Sequence, residues 1–260
     1  MTCTSAAVPG VEPAAAECQA PVAPAGSNVV SSTEKRHGWS LLWDGRTSAG
    51  WRSAHSESFP ATGWTMCNGV LAINGKGGGE SRGPGDIITT KRYGQFELQF
   101  AFQITPGANS GLKTFVQTNI SPIDKVTGKP TPIGSGIGLE FQVLDDELHP
   151  DAKLGRDGNR TVGSLYDLIP APKDKAVLPP GQWNRGRIVS SGRRLTFYLN
   201  GRKTIDVDRG SPAFAEAVAR SKFKNITGFG EWADGHLLLQ DHGDRVFFTD
   251  LKVRELKAAR

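Results

Sequence analysis

The chain has no run of about 18 apolar residues, the length a membrane-crossing helix requires, so none of its 260 residues read as such a helix. It also lacks a concentrated basic stripe with exposed aromatics. The net charge is +5, but Lys and Arg are interleaved with acids, which reads as a solvated surface and argues against a nucleic-acid partner. Cysteine is scarce, with only Cys3, Cys18 and Cys67. An odd count with two members in a tail gives no disulfide framework, and Cys67, inside "WTMCNGVLAI", reads as a small buried residue. Helical periodicity is nearly absent, and only "SPAFAEAVARSK" suits a short helix.

Residues 1–36 are rich in Ala, Pro, Ser and Val and carry no periodicity. They show no basic stretch followed by an apolar one, so no signal peptide is recognisable. A disordered leader is expected here, with one domain over residues 37–260. The stretch "AAAEC" offers Cys18 as a lipid-attachment site, but Glu17 and the missing apolar run count against it.

Glycine and period-two alternation dominate the rest. In "YGQFELQFAFQI", Phe96, Leu98, Phe100 and Phe102 point one way while Glu97, Gln99 and Gln103 point the other. "GWTMCNGVLAIN" reads as a hairpin turning at Asn68-Gly69. "WNRGRIVSSGRRLTFYLNGRKTIDV" reads as a three-strand meander, and "GHLLLQDHGDRVFFTDLKVREL" as a final hairpin. "GGGESRGPGD" is a glycine-rich loop with no Lys-Ser/Thr and no helix after it, so it is not a phosphate cradle. Regular strands with tight turns predict an all-β sandwich of two curved antiparallel sheets with one concave polar face.

The stretch "EFQVLDDELHPDA", residues 140–152, focuses the functional reading. Leu139, Phe141 and Val143 suit the core, which leaves Glu140 and Gln142 about 6.5 Å apart on the polar face. Asp145, Asp146, Glu147, His149 and Asp151 then crowd together. On the last hairpin His236, Gln240 and His242 oppose Leu237 and Leu239. Should the two strands share a sheet, Glu140, Gln142, Gln240 and His242 share one surface, the convergence expected of a binding site. Asp145, Asp146 and Asp151 are candidates for a divalent cation, with turn-capping as the alternative. No cofactor is otherwise implied. Trp232, in "GEWADGH", is a candidate sugar-stacking platform or an edge-of-core residue. Trp43, Trp51, Trp64 and Trp183 read as core.

In order, "LLWDGRTSAGW", "NSG" at Asn109–Gly111, "GLEFQVLDD", "VGSLYDLIPA", "GQWN" and "GHLLLQDHGDRVFFTDLKV" resemble the DUF1080 domain. That family is also described as the 3-keto-disaccharide hydrolase, or 3-keto-glucoside 1,2-lyase and 3-keto-2-hydroxy-glucal hydratase, family. The resemblance spans about residues 38–256. It implies a concanavalin A-like jelly-roll sandwich, a 3-keto-glucoside substrate and a periplasmic or secreted location. It implies chemistry in which the C2 proton, acidified by the neighbouring ketone, is removed and the C1 substituent is expelled. Such a site needs a base near C2 and donors for the enolate and the leaving oxygen. Glu140, His149, Tyr166 and His242 match the family's polar positions, and Asn109 and Lys113 lie in its "NSG" strand; base and acid are not individually assigned. Related laminarinase-type sandwich enzymes carry Glu-x-Asp-x-x-Glu on one strand. Here the pattern is Glu140-Phe-Gln142-Val-Leu-Asp145, so a conventional glycosidase is disfavoured. A non-catalytic carbohydrate-binding module is the other reading, though it has no need of a glutamate with two histidines.

Overall fold

The computed structural model describes residues 18–75, 85–118, 123–129 and 136–257. In chain order the elements are α1 (Ser32–Arg36), β1 (Ser40–Leu41), β2 (Trp51–Ser53), β3 (Trp64–Cys67), β4 (Val70–Ile73), β5 (Ile87–Tyr93), β6 (Phe96–Ile104), β7 (Asn109–Val116) and β8 (Leu139–Leu144). A 3-10 turn follows at Pro150–Lys153. Then come β9 (Asn184–Ser191), β10 (Arg194–Leu199), β11 (Arg202–Asp208), α2 (Pro212–Ala219), β12 (Gly235–Leu239) and β13 (Val246–Glu255). One sheet runs β11-β10-β9-β6-β13-β4-β3 with β1 also on β13; the other runs β2-β5-β12-β7-β8. All pairings are antiparallel. The expected all-β jelly-roll sandwich is the architecture of the chain.

Alternation builds the core. The inward sides of β6, β8 and β10 meet between the sheets, where the ring of Phe141 stands 5.3 Å from both Phe100 and Phe197. Trp43, Trp51 and Trp64 are buried as expected, whereas Trp183, also expected in the core, is only half-buried against Val70, Ala72 and Phe247. The Asn68-Gly69 and Asn200-Gly201 turns both hold positive φ at each residue, the backbone a tight hairpin with matching twist requires. Most of the "GGGESRGPGD" stretch lies outside the described residues, as do Cys3 and residues 1–17.

Three further expectations are corrected. The segment "GHLLLQDHGDRVFF" is no hairpin, because β12 joins the five-stranded sheet while β13 joins the eight-stranded one. "DHGD" therefore crosses from layer to layer. Period-two patterning reports which face a residue takes but not which strand it pairs with.

Cys67 is half-buried and is bonded to Cys18. That bridge excludes Cys18 as a lipid-attachment residue, and an odd cysteine count concealed it.

The expected leader also ends too late, since residues 18–36 pack on the domain. Ala20 and Ala23 join Trp183 against Val70, Ala72 and Phe247 on the outer face of the eight-stranded sheet. Asn28 donates to Gly69 O at 2.9 Å, and its Oδ1 accepts the Asp250 amide, also at 2.9 Å. Ser31 and Glu34 form a capping box on α1. Glu34 is tied in turn to Lys252 at 3.1 Å. The composition is poor in apolar groups, yet a covalent tie plus a few caps offsets the ordering entropy.

Reducing the Cys18–Cys67 bridge, or replacing both cysteines by Ser, should cost about 2–4 kcal/mol. Calorimetry with and without reductant should show the midpoint falling by several degrees; an unchanged midpoint would mean the strap contributes nothing. The Glu34 carboxyl is held down at about 2, chiefly by the Ser31 amide and hydroxyl and by Lys252. A depressed carboxyl stabilises the fold above its unfolded value and loses that contribution as pH falls toward its folded one. Glu34→Gln should therefore be less stable than the parent at neutral pH, and the gap should close between about pH 4.5 and 2.

Candidate functional site

The site lies on the outer face of the five-stranded sheet. Residues directly opposed across an antiparallel pair share a face. Leu112 opposes Phe141, and both are core; one step to either side, Lys113 opposes Glu140 and Gly111 opposes Gln142. Lys113 Nζ stands 4.0 Å from Glu140 Oε2, with each side chain only 6% exposed. Burying either charge alone would be costly, and each supplies the other's counter-charge. Gly111 makes the room, since a Cβ there would fall 2.1 Å from Glu140 Oε1. Gln142, with its amide nitrogen toward them, donates to Ser110 O at 3.0 Å and to Glu140 Oε1 at 3.1 Å.

A second layer comes from the irregular segment after β8. Its backbone docks on the free edge of that strand: the Tyr166 amide donates to Glu140 O, and the Gly163 amide to Gln142 O. This places the Tyr166 ring beside the buried pair. Its hydroxyl donates to Asp151 Oδ2 at 2.9 Å and accepts from Lys222 Nζ at 3.2 Å. Arg160 bridges Asp151 Oδ1 and Asp167 Oδ1, both at 2.7 Å. Asp167 adopts φ 59°, a left-handed backbone that Asp tolerates, and its other oxygen takes the Lys222 amide at 2.7 Å. Burial, then the negative charges of Glu140 and Asp151, push the Tyr166 hydroxyl far above its ordinary value. Its proton is committed to Asp151, so in this arrangement Tyr166 positions Asp151 and Lys222.

The third group sits at the rim, where β7 begins and β12 ends. His149 caps the 3-10 turn through Nδ1, which accepts the Asp151 amide at 3.1 Å. Its ring meets that of His242 edge-on, with centroids 5.8 Å apart. His242 Nδ1 lies 3.9 Å from Asp244 Oδ2, and the Asn109 amide fixes that same oxygen at 3.0 Å. Burial first, then the neighbouring His242, lower the His149 value against the pull of Asp244, Asp151 and Asp145. His149 is therefore neutral at neutral pH.

Sequence reasoning thus brought together Glu140, Lys113, Gln142, Tyr166, His149, His242 and Asn109. Gln240 is buried beside them, but its backbone serves the sheet: its amide donates to Gly111 O and its carbonyl accepts from Ser110. Asp145, Asp146 and Asp151, candidates for a cation or for turn-capping, each meet separate partners. Asp145 accepts the amides of Gly107, Glu147 and Leu148. Burial opposes its charge, but these amides outweigh it and hold the carboxyl low. Asp146 takes the Val162 amide and Lys175, and Asp151 serves Tyr166 and Arg160. Turn-capping describes Asp145; Asp146 and Asp151 are engaged by partners farther along the chain. Trp232 packs against the core beside Phe229, ring centroids 6.3 Å apart, as an edge-of-core residue. Arg160, Asp167 and Lys222 were missed, because no periodic signal marks an irregular segment. Asp244 was legible, two residues after His242 in "DHGD".

Comparison with known proteins bears on the family and the fold. The profile of the 3-keto-alpha-glucoside-1,2-lyase-like domain matches residues 38–254. The chain is 33% identical over 232 residues to a 3-keto-disaccharide hydrolase of Bacteroides thetaiotaomicron, covering 84% of this chain and 79% of that protein. A Parabacteroides distasonis protein assigned provisionally as a glycosyl hydrolase has a crystal structure that superposes with TM-score 0.73 at 26% identity. The match covers 89% of this chain and all of the other (100%). A second protein from that organism, with the same provisional assignment, superposes with TM-score 0.55 at 25% identity, over 79% and 99% of the two chains.

Gly111→Ala tests whether the Glu140 head must lie where it does. The new methyl meets the mobile end of that side chain, so the fold should tolerate it, with a midpoint shift below about 5 °C, on the order of 1–2 kcal/mol. Displacing the carboxylate by about 1 Å should lower carbohydrate turnover about 10²-fold. Parental activity in a folded Gly111→Ala protein would remove Glu140 from the chemistry.

Proposed function

Because the chain belongs to the 3-keto-alpha-glucoside-1,2-lyase-like domain family, we propose that it is a carbohydrate-active enzyme that cleaves 3-keto-glycosides, with Glu140 as the base. The observation that carries this reading is the composition of the pocket floor. Two-carboxylate glycosidases hold their acids about 5–9.5 Å apart across the scissile bond. Here Gln142 occupies the middle position of the strand pattern, and Asp145 turns away to cap backbone amides. On the β7–β8 face Glu140 stands beside the Lys113 ammonium, with no second acid on its own strand pattern. That arrangement suits proton abstraction next to a carbonyl, where one base and one cation suffice.

The steps balance as follows. Glu140 takes the C2 proton, and the C2–H electron pair forms the enolate of the C3 ketone, whose developing negative charge faces the Lys113 ammonium. The enolate then expels the C1 oxygen, which leaves with the bonding pair and takes a proton from solvent, while the proton on Glu140 exchanges with solvent. Water adds at C1 of the resulting 3-keto-2-hydroxy-glucal, giving its second proton back to solvent, and Glu140 delivers a solvent-derived proton to C2. The net reaction is hydrolysis, with the base restored. Lys222, held over Tyr166 at the pocket mouth, is placed to donate to sugar hydroxyls. Export to the periplasm or the exterior is part of the same proposal. It is supported by the Cys18–Cys67 bridge, a bond that persists in oxidising compartments.

In heavy water, the sugar product should carry deuterium at C2, read by mass spectrometry or NMR. The unoxidised parent glucoside should not turn over. Cleavage of the parent at a comparable rate, with no label at C2, would mean ordinary glycoside hydrolysis, and sugar binding without turnover would mean a binding module. Glu140→Gln should keep the fold and lower turnover about 10²-fold or more. Phe141→Ala, on the core side of the same strand, should cost roughly 3–5 kcal/mol of stability, while the molecules that remain folded keep their activity.

A further inference from the structure

We propose that His149, His242 and Asp244 form a binding site for a divalent transition-metal cation at the rim of the pocket. One ligand atom from each residue lies within 4.8 Å of the others, and all three side chains are half-buried, within reach of solvent. They come from two separate loops, the one after β8 and the one after β12, brought together by the sheet order rather than by sequence proximity. Ligand atoms around a tetrahedral zinc stand about 3.4 Å apart, given metal–ligand bonds of about 2.0–2.1 Å. The trio must therefore close by about 1 Å, a movement that loop side chains allow.

A second observation points to the same place. Asn109 opens β7 directly below the trio. Its amide holds Asp244 Oδ2 at 3.0 Å and so orients the carboxylate, as partners of metal-bound carboxylates commonly do. Its own Oδ1 is buried without a hydrogen-bond partner, in a residue 3% exposed. Buried polar atoms are almost always satisfied. An orphaned amide oxygen on the residue whose backbone holds Asp244 is an acceptor for which a cation, or a water on a cation, is the fitting complement.

The donor set decides the class of ion. Two nitrogens and one carboxylate suit zinc, cobalt, manganese or iron, whereas calcium and magnesium take oxygen ligands. This differs in residues and in chemistry from the all-carboxylate set that the sequence suggested, whose members are engaged elsewhere. The His149 ring brings a cost. Its Nδ1 accepts the Asp151 amide, so Nε2 carries the proton in the metal-free protein. A cation must displace either that proton or that amide, which makes His242 and Asp244 the informative positions. Three protein ligands leave at least one coordination position open for water or a sugar oxygen.

The test is equilibrium dialysis of chelator-stripped full-length protein against zinc and, separately, cobalt, with metal counted by mass spectrometry and cobalt followed by its visible absorption. The wild type should bind one ion per chain and develop the ligand-field bands of a nitrogen–oxygen site. His242→Ala and Asp244→Asn should each weaken binding at least tenfold; the second keeps an oxygen for the Asn109 amide, so the loop stays supported. No saturable binding by the wild type overturns the proposal, as does binding that survives both substitutions. The readout needs no sugar, so failure of the 3-keto-glycoside reading would leave this result unaltered, and the reverse also holds.

Discussion

The arrangement of the outer face depends on one pairing, Lys113 opposite Glu140 across β7 and β8. Two opposite charges held 4.0 Å apart under cover of protein tolerate little slippage. A one-residue shift of β8 would send Glu140 into the aromatic core and Phe141 into the pocket. The cost of burying an unpaired carboxylate and the cost of exposing Phe141 therefore act on the same register. Chemistry and packing are specified by adjacent residues of one strand, and neither can drift without the other.

The free edge of β8 extends this logic. An unpaired edge strand is a liability that proteins cover. Here the covering is done by residues 163–166, whose backbone bonds run to Gln142 and Glu140. The cover brings Tyr166, and with it Asp151, Arg160 and Lys222, over the pocket. The acids after β8 fix the path of that cover: Asp145 gathers three amides, and Asp146 holds Val162 and Lys175. The acidic burst is thus mostly scaffolding for a loop that delivers functional groups.

How far the sequence could be read follows from where each signal resides. Phe96 to Phe102 and Leu139 to Val143 have fixed inward faces because alternation is a local property. Glu140, Lys113, His149 and His242 were singled out through alternation together with family resemblance, and the strand register sets Glu140 opposite Lys113. The partner strand of β12 was not recoverable, because sheet assignment is decided by long-range packing. Lys222 and Arg160 act through contacts 56 and 9 residues away in sequence, with Tyr166 and Asp151 as their partners in irregular backbone. The Cys18–Cys67 bridge failed for a different reason: counting cysteines says nothing of which two approach within bonding distance.

The bridge has a consequence for how the molecule can be held. Cys67 closes β3, the edge strand of the eight-stranded sheet, and the strap ahead of it lies on that sheet's outer surface. The pocket opens on the opposite layer. A bead, carrier or fused protein coupled ahead of Cys18 would pull on a covalent anchor on the layer opposite the Glu140–Lys113 face. The load would be borne by the disulfide and the Asn28 clamp, and the pocket would stay directed outward, unobstructed by its own tether.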